Sequence, residues 1–231
     1  MSEHAKGGLL RTGRLAELGL LTATLTHELR QPLFAIRSLA QLALSNSDRA
    51  PAHLEELVRQ TELMDHIIGA VSNYARDDTG ILSPVDVGGV VEQVVNLLRH
   101  RAKHRSIRID VERHGEIGPV VGEPTALLQV LVNLVQNAID ASPDEGRVVV
   151  SLHAAESGLE VRVKDEGPGI SQDIQDQVFE AFFTTKGPEK GTGLGLYLAR
   201  ELVEVCRGEI DVEPSEQGAC LRLSLRGWTT P

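Results

Sequence analysis

Residues 26–32 combine a histidine, a carboxylate and a proline within one predicted helix, in the order Thr-His-Glu-Leu-Arg-Gln-Pro. At about 100° per residue His27 points away from the apolar face, so its imidazole is expected to face solvent. Pro32 removes a backbone hydrogen bond one turn past the histidine and loosens the helix there. His27 is therefore either an ordinary surface histidine or a nucleophile whose proton Glu28 accepts or orients. A zinc site of the HExxH type is excluded, because Gln31 stands where the second histidine belongs.

An amide stripe runs along the helix predicted for residues 126–140. Gln129, Asn133, Asn137 and Asp140 recur every three or four residues and therefore share one face. Most of the remaining surface is apolar, and carboxamides in a mostly buried helix need hydrogen-bond partners. The stripe is either the solvated face of an amphipathic helix or the lining of a polar site whose oxygen atoms suit Mg²⁺.

Two glycine-rich stretches follow that helix. Asp165-Glu-Gly-Pro-Gly169 ends a predicted strand. It forms either a plain turn or a site where Asp165 accepts a hydrogen bond from an amino group while the glycines let a flat ring approach. Gly191-Thr-Gly-Leu-Gly195 precedes a helix and forms either a flexible loop or a cradle of backbone N–H groups for phosphate. Lys190 comes before these glycines, so the second stretch is not a Walker loop.

Three of the four phenylalanines of the chain lie within residues 178–186. They pack into a core, or they belong to a hinged flap over a pocket. In the second case Lys186 would reach a terminal phosphate when the flap closes.

The elements that must position these groups fall into two classes. Residues 9–46 and 52–76 predict two long helices joined by a short turn, which form an antiparallel hairpin with an apolar seam. Pairing two hairpins into a four-helix bundle would bury that seam. After a hinge near residues 77–84, helical and alternating patterns predict an α/β sandwich with largely antiparallel strands.

Composition excludes several classes of protein. The 231 residues are 41% hydrophobic but only 3% aromatic, so aliphatic side chains must form the core. The net charge of −10 and the lack of a basic patch argue against nucleic-acid binding. No apolar run is long enough to span a bilayer, and the two cysteines lack metal or disulfide spacing. The chain is therefore expected to be soluble and cytoplasmic, with no direct membrane contact.

In this order the motifs resemble those of the catalytic core of bacterial two-component sensor histidine kinases. Residues 26–33 resemble the H box of that family, and residues 133–138 the N box. The G1, F and G2 boxes correspond to residues 165–169, 178–186 and 191–195. The resemblance spans about residues 9–226, nearly the whole chain.

The resemblance implies a helical hairpin that dimerises into a four-helix bundle, followed by an α/β sandwich of the Bergerat ATP-binding type. Residues 9–78 would form the dimerisation and phosphotransfer hairpin, residues 79–84 the linker and residues 85–227 the ATP-binding domain. ATP and Mg²⁺ are the implied cofactors. The implied partners are a second copy of the chain and the receiver domain of a response regulator, whose aspartate takes the phosphoryl group.

The resemblance also implies roles for single residues. His27 would be phosphorylated with help from Glu28, and Asn137 would bind Mg²⁺ with Asn133 beside the phosphates. Asp165 would contact the adenine amino group. The glycines that shape the adenine side would be Gly167 and Gly169. The phosphate side would comprise Lys186, Gly191, Thr192, Gly193, Leu194 and Gly195.

Three positions depart from the family pattern. Gln31 stands where many members have Thr or Asn, which puts phosphatase activity in doubt. Asp140 replaces a basic residue of some relatives and is either a lost phosphate contact or a polar helix end. Ala219 replaces a Thr near the adenine, so one hydrogen bond is missing or made by water.

Two rival functions are compatible with parts of the pattern. A Bergerat ATPase clamp would need a catalytic carboxylate at the start of the adenine-site helix and would have no use for His27. A regulatory scaffold would bind nucleotide without histidine phosphorylation, although Asn137, Asp165 and the glycines favour a working site. The stimulus would come from another protein, a ligand or a segment outside these residues.

Overall fold

The computed structural model describes residues 29–30, 33–45, 51, 53–54, 56–58, 60–61, 64, 82–185 and 193–229. The chain divides into two compact units, Met1–Asp78 and Thr79–Pro231. Each unit is described by itself.

The described residues of the first unit are helical. They include residues 29–30 and 33–45 of the first predicted helix, residue 51 just before the second, and residues 53–54, 56–58, 60–61 and 64 of the second. The rest of both predicted helices, with the turn between them, lies outside the described residues. Several large apolar side chains of this unit are exposed in the single chain, namely Leu33, Phe34, Leu42, Leu44, Leu54 and Val58. So much exposed apolar surface is typical of a face that a partner covers.

The second unit alternates helices and strands. Within residues 82–185 and 193–229 the α-helices are α1 (Val87–His104), α2 (Pro124–Ala141) and α3 (Gly195–Val205). The strands are β1 (Ser83–Val85), β2 (Arg108–His114), β3 (Val120–Gly122), β4 (Arg147–Ala155), β5 (Gly158–Lys164), β6 (Glu209–Glu213) and β7 (Cys220–Arg226). Single 3₁₀ turns occupy Gln172–Ile174 and Gln177–Phe179.

The strands form a large and a small sheet. The large sheet has the order β2-β4-β5-β7-β6, and only its β2–β4 pair is parallel. β1 pairs with β3 in the small sheet, with Ser83 opposite Gly122. Two residues expected in the linker, Ser83 and Pro84, therefore lie in a strand. The predicted α/β sandwich with mostly antiparallel strands is confirmed.

The core lies between the helices and one face of the large sheet. Alternate residues of the three central strands are buried there, including Val148, Val150, Leu152, Val161, Val163, Leu223 and Leu225. The predicted apolar face of α2 is confirmed, because Leu127, Leu131, Leu134 and Ala138 are all buried in the same cluster. The core thus holds α2, which carries the amide stripe, firmly over the sheet.

Paired charges cover the opposite face of the large sheet. Arg162 of β5 donates from Nε to Glu213 of β6 at 2.7 Å, and its guanidinium also lies 2.7 Å from Glu160. This hydrogen bond holds the pKa of the Glu213 carboxyl below its usual range. The Cys220 thiol also donates to Glu213, and burial raises the pKa of that thiol to about 11.

Candidate active site

The centre of α2 carries a buried amide with one unsatisfied atom. Asn133 is only 3% exposed, and its Nδ2 donates to the carbonyl of Gly195 at 3.2 Å. Because a carbonyl can only accept, this bond fixes which way the amide points. The Oδ1 atom is buried and has no hydrogen-bond partner among the residues that the structure describes. Such an oxygen is expected at a ligand site, where a cation or a donor satisfies it.

Asn137 lies one turn further along α2 and is half-buried. A Cβ built on Gly195 would lie 3.5 Å from its Nδ2 atom. Asn133 and Asn137 therefore both approach the first residue of α3. The structure brings together the N box residues and the end of the second glycine stretch, as the sequence predicts.

Asp165 is oriented by the backbone around it. Its side chain is 6% exposed, and Oδ1 accepts hydrogen bonds from the N–H groups of Gly167 at 2.8 Å and Ala219 at 3.0 Å. The N–H of Asp165 in turn donates to the carbonyl of Ala219 at 3.0 Å. Ala219 thus holds this carboxylate through its backbone N–H, a contact that does not require a threonine side chain.

The glycines around Asp165 are required by packing within the protein itself. A Cβ on Gly167 would lie 2.6 Å from the carbonyl oxygen of Ala141, the last residue of α2. A Cβ on Gly218 would lie 1.8 Å from the carbonyl oxygen of Asp165. Sequence reasoning assigned glycine here to the approach of a ligand ring. In the structure the end of α2 and the turn after β5 already exclude a larger residue.

The aromatic segment is mainly part of the core. Phe179 is buried, with the guanidinium of Arg200 5.6 Å from its ring centroid, and Phe183 packs against the core cluster. Phe182 has a left-handed backbone (φ 67°), and its N–H donates to the carbonyl of Gly193 at 3.0 Å. Gly193 is left-handed as well (φ 64°), and a Cβ on it would collide with Phe182.

Five predicted site residues lie outside the described part of the chain. They are His27, Glu28, Lys186, Gly191 and Thr192. Their roles stay predictions. Of the phosphate-side residues, Gly193 lies against Phe182 and Gly195 begins α3, with Leu194 buried between them.

Family models match both units of the chain. The model described as "His Kinase A (phospho-acceptor) domain" matches residues 17–80. The model described as "Histidine kinase-, DNA gyrase B-, and HSP90-like ATPase" matches residues 122–228. The chain belongs to the two-component sensor histidine kinases. It carries their catalytic core, with a phospho-acceptor region followed by an ATPase-type domain.

Two curated relatives are named as a sensor protein and as a kinase. The chain is 34% identical over 227 residues to the C4-dicarboxylate transport sensor protein DctB of Rhizobium meliloti, covering 94% of this chain and 36% of that protein. It is 30% identical over 220 residues to sporulation kinase E of Bacillus subtilis, covering 94% of this chain and 30% of the relative. The chain thus spans about a third of the length of these relatives.

Solved histidine kinases share the fold. The catalytic domain of the histidine kinase ThkA matches with a TM-score of 0.58 at 29% identity, covering 63% of this chain and 95% of that domain. ThkA in complex with the response regulator protein TrrA matches with a TM-score of 0.78 at 23% identity, covering 99% of this chain and 68% of the solved chain. Among the described residues of this kinase core, no helix is long and apolar enough to cross a membrane.

Sequence reasoning missed two arginines that hold the carboxyl end of α2. Arg101 of α1 forms an ion pair with Asp140 at 2.9 Å. Asp140, which departs from the family pattern, therefore binds a residue of the neighbouring helix. Arg105 donates to the carbonyls of Ile139 and Asp140 in the last turn of α2 and to that of the C-cap residue Ser142. The available signal was that α2 has no basic residue in its last turn, so the positive charge favoured at this helix end had to come from another element. That signal does not say which arginines do so.

Proposed function

We propose that this chain is an ATP-dependent protein-histidine kinase that autophosphorylates on His27 and passes the phosphoryl group to an aspartate of a response-regulator receiver domain. The proposal includes a cytoplasmic homodimer in which residues 9–78 form the dimerisation hairpin. The linker, predicted at residues 79–84, then ends before Ser83, where β1 begins, and the ATP-binding domain runs from β1 to residue 227. The two family models, matched in this order along the chain, support the kinase activity and the sequence of the two domains. The exposed apolar side chains of the first unit also support a dimer.

One observation carries the nucleotide site: α2 touches both glycine stretches. Asn133, in the middle of the helix, bonds to Gly195 at the start of α3. Ala141, at its carboxyl end, lies against Gly167 beside the Asp165 carboxylate. The Asp165 carboxylate can accept an amino group, and the amino terminus of α3 suits phosphate; both lie against α2. This is the arrangement that an adenine nucleotide needs.

The residues present fit a magnesium ion. Mg²⁺ prefers oxygen ligands, and the half-buried Asn137 offers a side-chain oxygen one turn from Asn133, whose buried Oδ1 lacks a partner in the described structure. We propose Asn137 as the protein ligand, with Asn133 beside the phosphates. Bound there, the ion would offset phosphate charge in a chain whose net charge is −10.

In the proposed reaction a ring nitrogen of His27 attacks the γ-phosphorus of ATP, a P–N bond forms and ADP leaves. Glu28 accepts the proton that the ring gives up. The other residues act by position and charge, as is usual for phosphoryl transfer. Asp165 holds the adenine end, and the amino terminus of α3 holds the phosphate end.

Among the described residues, the start of α2 offers the rival ATPase clamp no carboxylate that is free to act as its catalytic acid. Glu123 is the carboxylate at the start of α2, but its two oxygens accept the N–H groups of Thr125 and Ala126 and so cap the helix. It also lies 14 residues before Asn137, which is about 20 Å along the helix axis. Glu123 is therefore occupied as a helix cap and lies far from Asn137.

Incubation with γ-labelled ATP tests the proposal. We expect wild-type protein to become labelled, the His27→Gln variant to remain unlabelled with unchanged ATP affinity, and the Asn137→Ala variant to lose at least tenfold in Mg-ATP affinity. Nucleotide binding is measured separately by calorimetry. Label on the His27→Gln variant would show that another residue is the nucleophile, whereas binding without any labelling would favour the regulatory scaffold.

A further inference from the structure

Arg105 follows α1 and directs its guanidinium at the carboxyl end of α2. Nη1 donates to the carbonyls of Ile139 at 2.7 Å and Asp140 at 3.2 Å, and Nη2 donates to that of Ser142 at 2.8 Å. Nε donates to the carboxylate of Asp144 at 3.0 Å. One side chain thus satisfies three backbone carbonyls of another element.

α2 needs these donors because its own sequence does not supply them. The last four carbonyls of a helix have no partner within the helix. Ser142 bonds to the carbonyl of Ala138 through both its N–H and its hydroxyl, and α2 has no basic residue in its last turn. The guanidinium also meets the negative end of the helix dipole, where a cation is favoured.

The turn that Arg105 holds borders the nucleotide site. The carbonyl of Ala141 lies so close to Gly167 that a Cβ there would be 2.6 Å from it. Gly167 in turn donates its N–H to the Asp165 carboxylate at 2.8 Å. A continuous set of contacts therefore leads from Arg105 through the end of α2 to the proposed adenine acceptor.

We propose that Arg105 is a positioning residue for the adenine side of the ATP site, because it fixes the last turn of α2 against the turn that carries Asp165 and Gly167. This inference rests on the proposed function, since it assumes that the site binds an adenine nucleotide. Arg105 does not itself touch the ligand in this proposal. Its effect is confined to the adenine end, because Asn133 and α3 define the phosphate end.

The test compares two ligands across three variants of the full chain. ADP and adenosine are titrated by competition against a fluorescent adenine nucleotide, at a temperature where circular dichroism shows each variant to be folded. Arg105→Gln removes the charge and most of the donors, while Arg105→Lys keeps the charge. Arg113→Gln is the matched control, since Arg113 pairs with Glu92 on an exposed surface away from α2.

Arg105→Gln is expected to weaken the binding of ADP and the binding of adenosine by the same factor, about tenfold, because both ligands use the adenine end of the site. Arg105→Lys is expected to recover part of this loss, leaving about threefold. For Arg113→Gln, both dissociation constants are expected to stay within about twofold of wild type, because an exposed ion pair contributes little.

Two results would overturn the inference. In one, Arg105→Gln lowers the melting temperature but leaves both dissociation constants within about twofold of wild type, which would make Arg105 a purely structural cap. In the other, the variant binds ADP more weakly but adenosine as tightly as wild type does, which would place the effect at the phosphate end. A wild-type chain that binds neither ligand overturns the proposed function, and this inference with it.

Discussion

At the scale of single residues, Asn133 exposes a conflict between stability and function. Its buried Oδ1 lacks a donor in the described structure, and an unsatisfied buried acceptor costs about 1–3 kcal/mol of folding free energy. Sites that await a ligand commonly carry such a cost. The single bond from Nδ2 to Gly195 offsets part of it.

Replacing Asn133 by Ala should therefore affect binding far more than stability. We expect Mg-ATP affinity to fall at least tenfold, while the melting temperature changes by less than about 4 °C, since one hydrogen bond and one unsatisfied oxygen are lost together. Leu134→Ala, at the neighbouring fully buried position, is the control and should cost about 2–5 kcal/mol. Equal loss of stability in both variants, with binding intact in Asn133→Ala, would contradict this account.

Glu213 provides a prediction about pH. The hydrogen bond from Arg162 lowers the pKa of Glu213 in the folded protein, so this stabilisation is complete above the unfolded pKa, near 4.5, and is lost as pH falls through the folded pKa. Glu213→Gln should cost about 1 kcal/mol at pH 7, and the difference from wild type should shrink below pH 4.5.

Denaturant unfolding of the two proteins between pH 7 and pH 3 measures this difference. Glu209→Gln, at an exposed position of the same strand, is the control and should have little effect at any pH. A difference between wild type and Glu213→Gln that persists unchanged at pH 3 would show that the carboxylate charge is not what stabilises this pair.

At the scale of elements, α2 depends on residues at both of its ends. Glu123 caps the amino end with both carboxylate oxygens, and Pro124 stands in the first turn, where its missing N–H costs nothing. Arg105 caps the carboxyl end from another element. The helix that carries the proposed site is thus held at both ends by residues that do not themselves touch the ligand in this proposal.

Glu123→Ala should separate helix stability from binding. We expect a loss of about 1–2 kcal/mol, typical of a removed N-cap, with the dissociation constant of ADP unchanged within about twofold. Chemical denaturation and calorimetry measure the two quantities. A large loss of affinity in the folded variant would instead give Glu123 a part in the site and revive the ATPase alternative.

The sequence predicted α2 well but not the tertiary contacts that surround it. A strong helical period placed the helix at residues 126–140, and the structure has it at Pro124–Ala141. The same period identified Asn133 and Asn137 as a shared face, and the family order of motifs linked them to Asp165. Local patterns of this kind can be read from neighbouring residues.

Contacts between distant segments left no such signal. The pairing of Ser83–Val85 with Val120–Gly122 joins residues that sequence analysis divided between a linker and a domain. The carbonyl of Ala141 explains Gly167, although 25 residues of other elements separate them along the chain. Such requirements depend on tertiary packing, which sequence periodicity does not encode.

At the scale of the whole molecule, the proposed reaction divides its parts between two units. The nucleotide-binding groups lie in Thr79–Pro231, whereas His27 belongs to Met1–Asp78. Each unit matches its own family model. The proposed autophosphorylation therefore requires that the two units meet.

The chemical stability of the phosphoryl label tests the central claim most directly. Wild-type protein labelled from γ-labelled ATP is exposed in parallel to acid and to alkali, and a digested portion is mapped to its labelled peptide. A phosphohistidine at His27 predicts that the label is lost in acid, survives alkali and resides on the peptide that contains residues 26–30. A label that survives acid, or one that maps elsewhere, would contradict the claim that this chain is a histidine kinase acting through His27.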